Sequence, residues 1–234
     1  MAKKTEQQMP QEVTEALNQS EAFFLKHKKT IIAVVAALVV LIVGWVICKQ
    51  YYLEPREQEA STLLAKGQEM MLAEQYDKAL NGDGASFKGF LAVANDYSST
   101  DAGNLANLYA GLCYAHQAKP DWKKALEYVE KFSPKGDMII SPASQMALGD
   151  IYANNDQLDK AVDCFKKAAK MADGKASDDT NVSVAPLALK KAALILESQN
   201  KKAEALAIYK DIKAKYLNSP AYQDIDKYIE RVSE

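Results

Sequence analysis

The chain has 234 residues, with 29 Lys+Arg against 31 Asp+Glu, a formal charge of −2, two histidines and three cysteines. A chain this near to neutral lacks the concentrated positive charge that displaces counterions from phosphates, so it is read as having no nucleic-acid partner. Two histidines leave few proton carriers for chemistry near neutral pH, and the absence of a Cys-x-x-Cys pair excludes zinc and thioredoxin-like sites.

Residues 1–29 form a short N-terminal tail. Val13, Ala16, Leu17, Ser20 and Phe24 follow helical spacing. The tail is nonetheless read as mostly solvated, with its last turns extending the helix that follows. From Ile31 to Cys48 no residue is charged or strongly polar. Eighteen residues rise about 27 Å as a helix, close to one hydrocarbon core. Residues 30–50 are therefore expected to be a transmembrane anchor, with the lipid bilayer as partner of residues 31–48. No small-x-small cleavage site follows the run; Lys49, Gln50, Tyr51 and Tyr52 do. Trp45, Tyr51 and Tyr52 would form an aromatic belt at the far interface, with Phe23 and Phe24 near the other. Lys26, Lys28 and Lys29 on one side outnumber Lys49 and Arg56 on the other. That bias predicts a cytoplasmic N-terminus and places the rest of the chain outside the cytoplasm.

Beyond Leu53, alanine, leucine, lysine and glutamate recur at a period near 3.6, and no run alternates as a strand does. Turn signals punctuate the pattern at Asn81-Gly82-Asp83-Gly84, Lys119-Pro120-Asp121, Ser133-Pro134, Ser141-Pro142, Asn154-Asn155-Asp156 and Ser219-Pro220. One segment carries Leu148, Gly149 and Tyr152, then Ala161, Phe165 and Ala168. Its small residues would let two antiparallel helices approach, and its large ones would fill the gaps beside them. An earlier segment carries Gly111, Tyr114, Ala125, Val129 and Phe132, with 11 positions from Tyr114 to Ala125 against 9 from Tyr152 to Ala161. A later one carries Leu189, Ala192, Ala193, Leu196, Ala205, Tyr209 and Ile212. These positions resemble the signature of the tetratricopeptide family, a helix-turn-helix repeat. The fold expected is all-α: a single N-terminal transmembrane helix followed by a tetratricopeptide-type solenoid of helical hairpins over residues 57–234. The clearest repeats span about 104–217, and a capping helix spans 221–232.

The segment from Glu57 to Asp101 is read as a degenerate first unit. Ala60, Leu63, Leu64, Gly67, Met71, Tyr76 and Leu80 are expected on one helix, and Phe87, Phe90, Leu91, Ala94 and Tyr97 on the next. Met171 to Val184 reads as a solvated loop without the oxygen-ligand spacing of a calcium site. Its Asn181-Val182-Ser183 matches the glycosylation acceptor pattern, which recurs by chance. Cys113 and Cys164 read as small buried hydrophobes, with a disulfide between them left open. No phosphate loop, nucleophile elbow or H-E-x-x-H is present, so no catalytic residue, metal site or cofactor is assigned and the chain is read as a non-enzyme.

Stacked hairpins make a concave surface lined by the first helix of each pair. The signature positions put Leu105, Leu108, Leu112 and His116 there from the first clear unit. Met146, Asp150 and Asn154 come from the second, and Leu187, Lys190, Leu194 and Glu197 from the third. Some members of the tetratricopeptide family that these repeats resemble clamp a terminal carboxylate with Lys, Asn and Arg; the equivalent central positions here are Leu112, Asp150 and Leu194, which disfavours that use. Two readings stand: an apolar groove that takes a helix or an extended segment of a protein or peptide partner, or leucines that simply pack against neighbouring helices.

The layout as a whole is the tail with Phe23-Phe24, the anchor ending in Gly44-Trp45, then Tyr51-Tyr52 and a small repeat domain. It is similar to the YfgM-like ancillary subunits of the bacterial SecYEG translocon. That resemblance implies an inner-membrane adaptor with a periplasmic repeat domain, placed beside the translocon and linking exported proteins to envelope chaperones. The alternative is a scaffold for cell-envelope or cell-division machinery, with the anchor serving only as a tether.

Overall fold

Backbone is described here for residues 11–233 and side chains from Leu25 onward, in a computed structural model. The chain divides into two units, residues 1–55 and 56–234.

The first unit is one helix, α1 (Gln11–Cys48), followed by a π-type turn over Lys49–Leu53. No proline interrupts α1, and its helix covers residues 11–29 of the tail, more than the last turns expected. The side chains of Val13, Ala16, Leu17, Ser20, Phe23 and Phe24 lie outside the described ones. Apolar side chains from Ile32 to Ile47 are exposed around the helix, and the Lys49 ammonium stands 5.7 Å from the Trp45 ring. Among the described residues this is the one helix long and apolar enough to cross a bilayer, with a mean hydropathy of 3.2 over its best stretch.

The second unit is built of helical hairpins. It opens within α2 (Glu54–Leu72), followed by α3 (Tyr76–Asn81) and α4 (Phe90–Asp96). Next come α5 (Asp101–His116), α6 (Trp122–Lys131), α7 (Ile140–Asn154) and α8 (Leu158–Asp173). The last elements are α9 (Ala185–Ser198), α10 (Lys202–Lys215), a 3₁₀ turn (Pro220–Asp224) and α11 (Ile225–Ser233). No strand occurs among the described residues.

Each hairpin closes where a small residue on its first helix lets the second come near. A Cβ on Gly149 would stand 2.6 Å from the Phe165 ring, and one on Gly111 would run into Val129 Cγ2. The third of the clear hairpins uses Ala193, which is fully buried. The degenerate one before them uses Gly67, where a Cβ would run into the Phe90 ring.

The turns repeat as well. Glu74, Asp156 and Asn200 each sit in the middle of a three-residue turn with φ of 57°, 55° and 60°. After each, a backbone N–H donates five residues back: Gln75 to Met70, Gln157 to Tyr152 and Lys201 to Leu196, at 2.8–2.9 Å. That bond satisfies a carbonyl left unpaired by the ending helix. Gly67, Gly111, Gly149 and Ala193 are therefore one structural position, and Met70, Tyr114, Tyr152 and Leu196 another.

This register corrects the reading of the first unit. Tyr76 and Leu80 do not continue the helix of Ala60 and Gly67, because the Glu74 turn ends it. Ala79 then corresponds to Ala161. From Ala161 to Phe165 is 4 positions, but from Ala79 to Phe90 is 11, so seven extra residues sit in the second helix of this hairpin. They leave the stack as the loop between α3 and α4. Gly82 and Gly89 bound it at φ 99° and 91°, and the Asp83 carboxylate accepts from the N–H groups of Ala85, Ser86 and Phe87 at 2.9 Å. Phe87 and Phe90 return to the core edge to face. Ser141-Pro142 is likewise no inter-helix turn: it forms the first turn of α7, where proline's missing N–H costs nothing.

Two clusters, Ala60 to Ile151 and Ala161 to Val232, make the core, and Tyr152 packs against both. Cys113 and Cys164 carry free thiols.

Candidate functional site

Helices α5 and α7, first members of adjacent hairpins, leave between their C-terminal halves a pocket of about 450 Å³. Leu112, Ala115, Ala143, Met146, Ala147 and Ile151 form its apolar walls, with Trp122 at one end. His116, Asp150 and Asn154 bring polar atoms to it. Four of the residues assigned to the concave face from sequence, Leu112, Met146, Asp150 and Asn154, therefore come together here, joined by His116.

The polar groups are largely committed. Both Asp150 oxygens accept from Lys191 Nζ at 2.7 Å. Asn154 Nδ2 donates to the Asp150 carbonyl at 2.8 Å, which leaves its Oδ1 as an acceptor. The His116 ring stacks on Tyr76 at 5.6 Å. Lys191, the cation beside the pocket, is neutralised by Asp150, and no lysine or arginine is among the lining residues. The groove therefore offers no lysine or arginine to grip a carboxylate. Its chemistry suits an apolar side chain on an uncharged segment.

The remaining assigned residues lie elsewhere. Leu108 is a correction: it is 5% exposed and packs in the core, because α5 is sandwiched by α4 and α6. Leu105 is half-buried against the same core. Leu187 and Lys190 line a separate hollow of about 190 Å³ with Ser183, Pro186, Pro220 and Ala221. Lys190 is not open to a partner. Its Nζ pairs with Asp224 at 2.7 Å and lies 4.3 Å from the Tyr228 ring. Glu197 is likewise engaged by Arg231 and by the Tyr209 hydroxyl. The C-terminal turn and α11 thus engage the two charged residues of the third unit's inner face, while Leu187 stays exposed. Leu194 is partly exposed and lines neither pocket.

Sequence reasoning missed Ala115, Trp122, Ala143, Ala147 and Ile151. Trp122 alone had a signal, as the single tryptophan of the repeat region directly after a Lys-Pro-Asp turn.

Titration near the site is structural. Burial pushes the Cys113 thiol up to about 12, so it stays protonated. Burial, then the hydrogen bond to Glu130, raises the Tyr152 hydroxyl to about 12. No group of three or more His, Cys, Asp or Glu stands close enough to hold a metal among the described residues.

The arrangement defines a class of fold: a TPR-like helical repeat. It is similar to the crystal structure of a putative kinesin light chain with nearly identical TPR-like repeats from Podosopora anserina. That likeness has a TM-score of 0.57 at 14% identity, over 75% of this chain and 86% of that one. A singly substituted form of the same protein matches with the same TM-score and identity, over 75% of this chain and 85% of that one. At this identity the likeness establishes the fold. No protein-family model matches the chain, and no curated protein matches it.

Proposed function

We propose that the protein is a membrane-anchored, non-enzymatic adaptor whose repeat domain binds segments of other proteins. In this reading α1 spans a bacterial inner membrane with the N-terminus in the cytoplasm, and the repeat domain works in the periplasm. It acts beside the Sec translocon and links exported chains to envelope chaperones. The observation that carries the reading is the α5–α7 groove: apolar walls, one free amide acceptor at Asn154 and no cation among its lining residues. Such a groove takes an apolar side chain from an extended or helical segment. The uncharged run Ile31–Cys48 supports the anchor.

Site-specific photo-crosslinking in native membranes tests it, with probes at Val40, Leu112 and Asp150. Translocon subunits captured at Val40, together with unfolded envelope proteins or chaperones at Leu112 or Asp150, are expected. Envelope-assembly proteins at the groove with only lipid at Val40 would replace the reading by the scaffold alternative.

A further inference from the structure

The two edges of the hairpin stack differ in kind. One edge holds the turns within hairpins, 73–75, 117–121, 155–157 and 199–201. It is stitched by polar bonds: Gln117 to Asp77 at 2.7 Å, Gln199 to Asp159 at 3.0 Å and Lys201 to Asp159 at 2.8 Å. Among the described residues Leu72 is its one exposed large apolar side chain.

The other edge holds the connections between hairpins and exposes Met138, Ile139 and Ile140 in succession, at 48%, 68% and 39%. Val182 and Leu217 are exposed in the following two connections. This apolar knuckle is held in place. The Asp137 carboxylate accepts from the N–H groups of Ile139 and Ser141 at 2.9 and 3.1 Å and from the Ser141 hydroxyl at 2.6 Å. Gly136, at φ 76°, donates to the Ser141 hydroxyl at 3.1 Å. The aliphatic side chains project from an ordered base, so little further ordering is needed for them to bind.

The same edge is where the chain enters the repeat domain. Glu57, at the start of α2, accepts from the N–H groups of Asp101 and Ala102 at 2.7 and 2.9 Å. Asp101 pairs with Lys135 at 3.1 Å, and Asn104 exchanges hydrogen bonds with Ser133 at 2.8 Å. Lys175, from the next connection, lies over Gly136, its Nζ 3.6 Å from where a Cβ would stand. Stepwise contacts thus run from Glu57 to the knuckle. Only seven residues, Lys49 to Pro55, separate Cys48 from Arg56, a span of about 25 Å at full extension.

We propose that this edge rests on the bilayer, with Met138, Ile139 and Ile140 inserted at the headgroup–acyl boundary. The proposal rests on α1 being a membrane span. A protruding aliphatic knuckle needs a matched cavity on a folded partner but none in a fluid interface, which fits lipid. Lys135 and Lys175 share these connections with Asp137, Asp178 and Asp179, so charge is nearly balanced and attachment is apolar. Held this way, the domain presents its groove at a fixed attitude to chains near the membrane.

The experiment uses the full chain in phosphatidylethanolamine–phosphatidylglycerol vesicles with brominated acyl chains. A fluorescent amino acid replaces Ile139, Asn200 or Val40 in turn. Blue-shifted, bromine-quenched emission at positions 40 and 139, absent at 200 and persisting in high salt, is expected. Quenching at 40 but not at 139 overturns the proposal while leaving the anchor intact. No quenching at 40 overturns both. Equal quenching at 139 and 200, or loss of the 139 signal in high salt, also overturns it. In a second arm, M138S/I139S/I140S should abolish quenching of a probe at Val182 with no fall in melting temperature. Retained quenching there would count against the knuckle, as would protein rather than lipid adducts from a crosslinker at position 139 in native membranes.

Discussion

The α2–α4 and α7–α8 hairpins of the repeat domain solve one packing problem in two ways. In α7–α8 the second helix is continuous, and Phe165 reaches Gly149 four positions after Ala161. In α2–α4 the second helix breaks for seven residues, yet Phe90 reaches Gly67 with nearly the same approach. The contact between ring and glycine is therefore what the fold requires, and helix continuity is expendable. A loop can leave the stack if its ends are close and its backbone groups are satisfied, here by Asp83 and two glycines.

The largest effect should come from deleting the two rings. Phe165→Ala and Phe90→Ala each remove a fully buried aromatic, and each should cost about 3–5 kcal/mol in urea unfolding of the full chain in micelles. A cost at Phe90 far below that at Phe165 would break their equivalence. Smaller losses should follow when the glycines are filled. Gly111→Ala places a Cβ 2.8 Å from the Ala125 carbonyl oxygen and 2.9 Å from the Val129 nitrogen, backbone atoms that cannot give way. It should lose about 1–2 kcal/mol, strain outweighing the roughly 1 kcal/mol gained in helix propensity. Gly149→Ala and Gly67→Ala meet only ring atoms and should cost less.

Acid sharpens the contrast. The N–H of Phe87, then that of Ala85, hold the Asp83 carboxyl at about 2 against an ordinary 3.8. A folded value below the unfolded one means its contribution is present above pH 3.8 and lost as pH falls through about 2. The carboxyl resonance of Asp83 should titrate near 2, and the α3–α4 loop should open in acid before the turn of α7–α8, which no such carboxylate holds. An Asp83 midpoint near 4 would refute the cap. The smallest effect belongs to the exposed edge: Ile139→Ser should change stability by under about 0.5 kcal/mol by the same unfolding measurement.

The regular hairpin was legible because all its signature residues stand at helical spacing in one uninterrupted window. The α2–α4 hairpin was not, because seven inserted residues shift every later position out of phase. Its better signal was Met70 to Ala79, the same nine positions as Tyr152 to Ala161. The groove was half legible. Leu112 follows from one face of α5 and Met146, Asp150 and Asn154 from one face of α7, whereas Trp122 enters from the start of α6 and Ala143 from the first turn of α7. Leu108 was misplaced because a periodic face does not say which neighbouring helix covers it.

By itself the sequence determined an uncharged run of bilayer length, an all-helical remainder and the small–large residue code of helical hairpins, since these depend on neighbours within about one turn. Tertiary structure alone decided that Phe90 replaces Phe165 across an inserted loop. It also decided that the C-terminal turn and α11 claim Lys190 and Glu197, and that Met138, Ile139 and Ile140 stand clear of the core. Those outcomes depend on which distant surfaces meet, and helical period carries no information about distant surfaces.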